Sequence, residues 1–164
     1  MRVAVLAGGK GTRLGEPIKC LTEVAGRPFM DWKLEQLERC GATEVSLICG
    51  PFGEQFFERY GNECEIVVDA QIGIPHALTF VPMLCWWTMG DVLLEQPLHK
   101  TSMPLMYVRR DDHPNIAGIY LDCGLYYGKS NFRLVETTAQ PYHINTRADL
   151  EVCDSYLRRY SFAH

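Results

Sequence analysis

The stretch with the clearest chemical potential is a glycine-rich segment directly after a short apolar run. Residues 2–7 (RVAVLA) lead into Gly8-Gly9-Lys10-Gly11, and Arg13 follows two residues later. Consecutive glycines present backbone N–H groups with no Cβ beside them, so such a loop can wrap closely around phosphate oxygens. Lys10 and Arg13 add positive charge, and the planar guanidinium of arginine suits phosphate. The segment predicts a phosphate-binding loop.

Two common glycine-loop motifs do not fit this segment. The pattern G-x-x-x-x-G-K-[ST] is absent, and Leu14 takes the third glycine position of the dinucleotide pattern G-x-G-x-x-G. The second apolar strand ends in Cys49-Gly50, without an acid that would bind a ribose. A plain structural turn is the remaining alternative, but a turn rarely needs three glycines with a lysine and an arginine directly after a buried strand.

An acid follows a second apolar run. Residues 84–89 (LCWWTM) end at Gly90-Asp91. We expect this run to be a strand that delivers Asp91 at its carboxyl end, where open α/β sheets bind their ligands. A carboxylate there can hold Mg²⁺ together with phosphate oxygens and water. The alternative is that Asp91 caps the next turn.

The elements that must position these residues alternate between strand and helix. Apolar runs predict strands at 2–7, 44–49, 65–68 and 84–89, with further candidates at 105–108 and 117–121, and helical spacing predicts helices at 29–40, 53–60 and 150–160. This alternation predicts a parallel sheet with right-handed crossovers. We therefore expect a single α/β domain over residues 1–164, with three α/β/α layers and a mostly parallel central sheet.

Composition excludes several classes of function. The net charge of -4 argues against a nucleic-acid-binding surface. The seven cysteines contain no CxxC pair, which indicates reduced, buried thiols instead of a zinc ribbon or a redox motif. The opening apolar run is too short for a signal peptide, and no apolar stretch approaches the roughly 20 residues of a membrane span. We expect a soluble, cytoplasmic protein with no membrane partner.

The N-terminal residues carry a family resemblance. LAGGKGTRL at 6–14, Lys19 and VAGRPF at 24–29 resemble the signature of the sugar-1-phosphate nucleotidyltransferases, in which LAGGxGTRL is followed by Pro-Lys and a VxGxP segment. Ile18 stands where proline usually precedes the lysine. The short intervening loop also resembles the molybdenum-cofactor and isoprenoid-precursor nucleotidyltransferases, and the N-terminal half is most similar to heptose-1-phosphate guanylyltransferase-like proteins. The resemblance implies a Rossmann-like fold, with a nucleotide-binding half at 1–70 and a metal and acceptor half at 71–164.

The resemblance also implies roles for individual residues. Arg13 would hold the triphosphate and stabilise departing pyrophosphate, Lys19 would contact the phosphates around the α-phosphorus, and Asp91 would bind magnesium. GIPHAL at 73–78 resembles a GTxxAL loop that lies against the nucleobase, although Pro75 and His76 depart from that pattern. The implied nucleotide-binding residues are Leu6, Ala7, Gly8, Gly9, Lys10, Gly11, Thr12 and His76.

The C-terminal segment departs from the family at a metal ligand. Residues 142–150 (YHINTRADL) are similar to YDIGTPEDL, whose aspartate supplies a second metal ligand, but His143 stands in its place and Asn145 replaces the glycine. Imidazole is a poor ligand for Mg²⁺ and a better one for Mn²⁺. A weaker metal site, a site completed by the Asn145 carbonyl oxygen, and an impaired enzyme are three open interpretations. The expected metal set is Asp91, His143 and Asn145, with Mg²⁺ as the cofactor, Mn²⁺ as its alternative, and activity retained.

The acceptor region is compressed. LDCGLY at 121–126 resembles the NAGIY stretch that contacts the sugar, so Asp122 or the Gly124 backbone would bind sugar hydroxyls; an ordinary strand-end aspartate is the alternative. The segments on either side are short compared with relatives, which implies a small acceptor or a site completed by another subunit of a homo-oligomer. The expected reaction joins a nucleoside triphosphate to a sugar 1-phosphate. The alternatives are transfer to a non-sugar phosphate or cofactor precursor, and a non-catalytic protein that binds a nucleotide or nucleotide-sugar.

Overall fold

The computed structural model describes residues 1–69, 73–82, 85–94, 105–110, 119–120, 125–127, 133–136 and 141–161. Its strands are β1 (Arg2–Leu6), β2 (Glu23–Val24), β3 (Arg27–Pro28), β4 (Glu44–Ile48), β5 (Glu65–Val67), β6 (Trp86–Met89), β7 (Val92–Leu94), β8 (Leu105–Arg110), β9 (Ile119–Tyr120), β10 (Leu125–Tyr127), β11 (Arg133–Glu136) and β12 (Pro141–His143). Its α-helices are α1 (Phe29–Arg39), α2 (Gly53–Tyr60), α3 (Ile74–Ala77) and α4 (Arg147–Ser161), and 3₁₀ turns lie at Lys19–Leu21, Gly50–Phe52 and Leu78–Phe80.

The central sheet has five strands in the order β10-β6-β1-β4-β5. Strands β6, β1, β4 and β5 are parallel, and β10 joins the edge antiparallel to β6. In the β1 register, Leu6 lies opposite Ile48 of β4 and Met89 of β6, so three carboxyl ends meet at one edge of the sheet. The predicted Rossmann-like α/β fold with a mostly parallel sheet is confirmed.

Strand β1 is buried on both faces of the sheet. Successive side chains of a strand point to opposite sides, so each face makes its own set of contacts. Val3 and Val5 pack with residues of α1 and α2, including Met30 and Phe56. Ala4 and Leu6 pack on the other face with Ile48, Val81 and Trp87, and with the partly buried Ala77 and Leu78 of the α3 region. Both faces of the sheet are therefore covered, which gives the three expected layers.

A further cluster attaches the end of the chain to its beginning. It joins α4 to α1 and β7 through Leu14, Val24, Phe29, Trp32, Leu93, Ile144, Cys153 and Leu157. The strands β7 and β12 form an antiparallel pair in which Val92 lies opposite His143. Asp91, just before β7, and Asn145, just after β12, are consequently brought to the same end of this pair.

The predicted elements hold with small changes in their bounds. Helix α2 matches its predicted range, and α1 ends one residue earlier than predicted; Gly41 follows it at a φ of 81°, a conformation that favours glycine. Helix α4 begins at Arg147, three residues earlier than predicted, and β9 is the described part of the strand predicted at 117–121, whose other three residues lie outside the described residues. Leu84, in the predicted strand before Asp91, lies outside the described residues. Within the described part of the chain, no helix is long and apolar enough to cross a membrane.

Candidate functional site

The glycines of the loop after β1 have different tasks. A Cβ on Gly8 would lie 2.9 Å from the backbone nitrogen of Gly50, and a Cβ on Gly11 would lie 2.6 Å from the Glu16 carbonyl oxygen. These two glycines allow close contact between backbone segments. A Cβ on Gly9 would meet nothing nearer than Lys19 Cδ, at 3.9 Å. Gly9 is exposed, and packing therefore does not require a glycine at this position. Without a side chain there, the backbone is accessible to a ligand.

The residues after Gly11 form a compact turn. The Gly11 carbonyl accepts hydrogen bonds from the backbone N–H groups of Leu14 (2.9 Å) and Glu16 (3.0 Å). Leu14 is buried in the cluster that contains α4, whereas Thr12 and Arg13 are exposed. Because Leu14 is buried, it fixes the backbone of the turn. The backbone position of the adjacent Arg13 is therefore fixed as well.

A cavity of about 130 Å³ opens at the carboxyl ends of the central strands. Leu6, Ile48 and Met89, the last residues of β1, β4 and β6, contribute to its wall, and its further lining is Gly8, Gly9, Cys20, Gly50, Asp69, Gly73, Ala77 and Asp91. The cavity therefore lies between the glycine loop and Asp91, as the location rule for open α/β sheets predicts.

Lys19 connects the two predicted halves of the site. Its Nζ donates hydrogen bonds to Asp91 Oδ2 and to Asn145 Oδ1. Its side chain is only 10% exposed, and its backbone N–H donates to the Gly9 carbonyl at 3.2 Å. One buried cation thus joins the glycine loop, the predicted catalytic acid and a predicted metal ligand that lies 126 residues away.

The oxygen atoms at this point fit a hard divalent cation. A carboxylate oxygen of Asp91 and an amide oxygen of Asn145 converge on one positive group, and oxygen donors are the ligands that Mg²⁺ prefers. Among the described residues there is no group of three His, Cys, Asp or Glu side chains that could hold a metal. A metal here would therefore take its remaining ligands from phosphate oxygens and water, which is usual for Mg²⁺.

His143, the other predicted C-terminal ligand, lies in β12 opposite Val92 and is half-buried. Asn145, two residues later, shares its Lys19 partner with Asp91. The shared Lys19 contact brings the Asn145 oxygen beside Asp91, and completion of a metal site by Asn145 stays a prediction.

Asp69, which lines the cavity, contacts His76. His76 Nε2 is 3.0 Å from Asp69 Oδ1, and the carboxylate side chain is 2% exposed. The His76 ring stands edge-on to Phe80, with centroids 5.6 Å apart. Sequence reasoning selected His76 and missed Asp69, although an acid just after β5 was a signal for it. The predicted acceptor residues Asp122 and Gly124 lie outside the described residues.

Cys20 also lines the cavity, between the loop and Asp91. It is fully buried, and a Cβ on Gly90 would lie 2.9 Å from its Sγ. Burial, with the nearby Asp91 charge, raises the pKa of the Cys20 thiol well above its usual range. The thiol is therefore neutral at physiological pH, and its place in the site is packing, not nucleophilic attack.

Part of the chain is similar in sequence to known proteins. Residues 3–78 match the family described as the MobA-like NTP transferase domain. The bifunctional protein GlmU of Trichlorobacter lovleyi is 34% identical over 79 residues, which cover 46% of this chain and 17% of GlmU. The N-terminal half of the chain is therefore similar to nucleotidyltransferases. The matched residues contain the glycine loop, Lys19 and His76. Asp91 and Asn145 lie outside the match, and the fold brings them to the candidate site.

Solved structures extend the likeness in fold over nearly the whole chain. A candidate glucose-1-phosphate thymidylyltransferase from Bacillus anthracis, in complex with a sucrose, has a TM-score of 0.76 at 19% identity, covering 96% of this chain and 95% of that one. The CTP:phosphocholine cytidylyltransferase LicC of Streptococcus pneumoniae has a TM-score of 0.67 at 16% identity, with 95% and 98% covered. At these identities the likeness establishes the fold alone. The matches with the first curated relatives span about a fifth of those proteins' length.

Proposed function

We propose that the protein transfers a nucleotidyl group from a nucleoside triphosphate to a sugar 1-phosphate and releases pyrophosphate. The observation that carries this proposal is the Lys19 ammonium, which contacts Asp91 and Asn145 directly beside the glycine loop. A cation, a carboxylate and a glycine loop with room around Gly9, at the carboxyl edge of a parallel sheet, suit the binding of a triphosphate.

In the proposed reaction, a phosphate oxygen of the acceptor attacks the α-phosphorus, the bond from the α-phosphorus to the bridging oxygen breaks, and pyrophosphate leaves with the electron pair. The attacking oxygen is already ionised, so the transfer needs no general base. Catalysis then depends on positioning and charge neutralisation. Gly9 would leave the loop N–H groups accessible to phosphate oxygens, Lys19 would neutralise charge at the α-phosphate, and Arg13 would do so at the departing pyrophosphate.

Asp91 and Asn145 would hold a divalent ion in this reaction. Mg²⁺, when bound, would supply charge neutralisation on the phosphates. In the structure their oxygens contact Lys19, so the ammonium would shift toward the phosphates as the ion enters. Mg²⁺ is the proposed ion because both donors are oxygens, and Mn²⁺ is the alternative if His143 takes part.

The test is pyrophosphate release from a panel of nucleoside triphosphates and phosphate acceptors, with Mg²⁺ and Mn²⁺ assayed separately. Sugar 1-phosphates form one arm, and phosphocholine and other non-sugar phosphates form the second. We expect release that requires one triphosphate, one sugar 1-phosphate and a divalent ion. Release only in the second arm would replace the acceptor class, and absence of release in both arms would contradict the transferase.

A non-catalytic protein that binds a nucleotide or nucleotide-sugar is the second candidate. The exchange of a metal-binding aspartate for His143 favours it, because one acidic ligand is then missing. Such a protein would bind nucleoside triphosphate in the same panel without pyrophosphate release. The cytoplasmic location and a homo-oligomeric state stay predictions from the sequence.

A further inference from the structure

Helix α1 buries a lysine beneath the candidate site. Its buried residues are Phe29, Met30, Trp32, Lys33 and Leu37. Lys33 is the charged member of this set and is 2% exposed. An ammonium group that is removed from water loses its hydration. A buried helix position without a special role would therefore hold an apolar residue. The burial of Lys33 therefore calls for a specific partner.

That partner is the backbone next to Asp91. Lys33 Nζ donates a buried hydrogen bond of 2.8 Å to the carbonyl oxygen of Val92. Burial lowers the pKa of Lys33 to about 8, and the charge of Asp91 opposes this decrease. The ammonium is therefore still protonated at neutral pH, and it lies close enough to interact electrostatically with the carboxylate.

The Asp91 turn is attached to three separate parts of the fold. The Gly90 N–H donates to the Leu6 carbonyl of β1 at 3.0 Å, and the Ile144 N–H donates to the Asp91 carbonyl at 3.3 Å. Lys33 adds the attachment to α1 through Val92. Without Lys33, the buried carbonyl of Val92 would lack its hydrogen-bond donor. Val92 is the first residue of β7, a strand of three residues.

We propose that Lys33 is a positioning residue of the transfer reaction, whose ammonium group holds the Asp91–Val92 backbone so that the Asp91 carboxylate keeps its place beside Lys19 and Asn145. The inference rests on the proposed transferase function. It assigns Lys33 no contact with substrate, since it acts through the backbone.

Three variants test the inference. Lys33→Met removes the charge and the donor at similar length, Lys33→Gln keeps a donor without the charge or the reach, and Lys33→Arg keeps both charge and donor. Leu37→Ala, one turn along the same buried face, is the matched control because it lowers stability without removing a charge or a hydrogen-bond donor. The measurements are kcat and KM per folded molecule, and hydrogen exchange of the 85–94 and 29–41 segments.

For Lys33→Met we expect kcat to fall at least about tenfold with KM for the triphosphate within about twofold, since the glycine loop is unchanged and misplacement of a catalytic group by about 1 Å can cost this much. Exchange should accelerate in 85–94 and stay unchanged in 29–41, and Lys33→Arg should recover part of kcat. Leu37→Ala should leave kcat unchanged.

Unchanged kcat in Lys33→Met, or an exchange pattern equal to that of Leu37→Ala, would overturn the inference. If Lys33→Met does not fold, the same results are expected for Lys33→Gln, and the same outcomes in that variant would overturn the inference. If the wild-type protein releases no pyrophosphate with any substrate pair, the proposed function fails. The exchange comparison then still decides whether Lys33 holds the Asp91 turn.

Discussion

At the scale of single residues, packing requires glycine at two positions of the glycine loop, Gly8 and Gly11, but not at Gly9. The sequence predicted the whole run as a phosphate loop from its composition. It could not assign Gly8 to the contact with Gly50, because that contact depends on how β1 and β4 lie side by side. The same limit applies to Lys19, Asp91 and Asn145, which local motifs select one at a time but only the fold brings together.

The two adjacent glycines should respond differently to alanine. Gly8→Ala places a Cβ against the Gly50 backbone and should lower the free energy of unfolding by about 1–3 kcal/mol, as overpacking does. Gly9→Ala should leave stability unchanged, because its Cβ has room, but should raise KM for the triphosphate about tenfold by obstructing the backbone N–H groups. Urea denaturation and steady-state kinetics measure the two effects. Equal loss of stability in both variants would contradict this division of tasks.

Arg13 tests charge neutralisation at the exposed side of the loop. Arg13→Ala should reduce kcat by about 10²–10³-fold, the usual cost of removing one group that stabilises charge in a transition state. The melting temperature should stay unchanged, because the side chain is exposed and the turn is fixed by its buried neighbour Leu14. Arg39→Ala, on α1, is the control for loss of a positive charge. Near-full activity of Arg13→Ala would remove Arg13 from the site.

At the scale of elements, agreement between sequence and structure follows the strength of the local signal. Helices α1 and α2 were predicted closely because several turns of apolar spacing and a terminal glycine mark them. The pair β7–β12 was missed, because strands of three residues carry almost no periodicity and pair across a long separation. The earlier start of α4 had a recognisable signal in Thr146 and Asp149, a threonine followed three residues later by an acid.

This reciprocal cap offers a test of how α4 positions Asn145, the proposed metal ligand. The Asp149 N–H donates to Thr146 Oγ1 at 3.2 Å, and Asp149 Oδ2 accepts from the N–H groups of Thr146 (2.8 Å) and Asn145 (3.1 Å). Thr146→Ala should lower the free energy of unfolding by about 1 kcal/mol. Asp149→Ala should lower it similarly and also reduce kcat, because it frees the Asn145 backbone. Denaturation and kinetics of the pair check this, and equal kcat in both variants would contradict a positioning effect of the cap.

At the scale of the whole molecule, the alternation of strand and helix was enough to predict the parallel sheet, and the candidate site lies at the carboxyl edge of that sheet. The sugar contacts of Asp122 and Gly124 stay predictions, because both residues lie outside the described part of the chain. The cysteines are a further whole-molecule property. Six of them, at positions 20, 40, 49, 64, 85 and 153, are buried thiols.

Buried thiols make the stability of the fold dependent on alkaline pH. Burial raises the thiol pKa to about 11 in Cys64 and to about 12 in Cys49 and Cys153, from 9.0 for an exposed thiol. Above pH 9 the unfolded chain loses these protons while the folded chain keeps them, so the unfolded state binds fewer protons and stability falls as pH rises. Each such thiol contributes a loss of about 1 kcal/mol per pH unit between pH 9 and its folded pKa.

Lys33 acts in the opposite direction, because its pKa falls from 10.5 to about 8 on folding, so it adds stability as pH rises from 8 to 10.5. Several thiols outweigh one lysine, and the free energy of unfolding should therefore decline from pH 9 upward. Urea denaturation at pH 8, 9, 10 and 10.5 under reducing conditions measures the decline, and Cys153→Ala should make it shallower by one thiol's share. A free energy that stays constant or rises over this range would mean that the thiols ionise equally in the folded and unfolded chains.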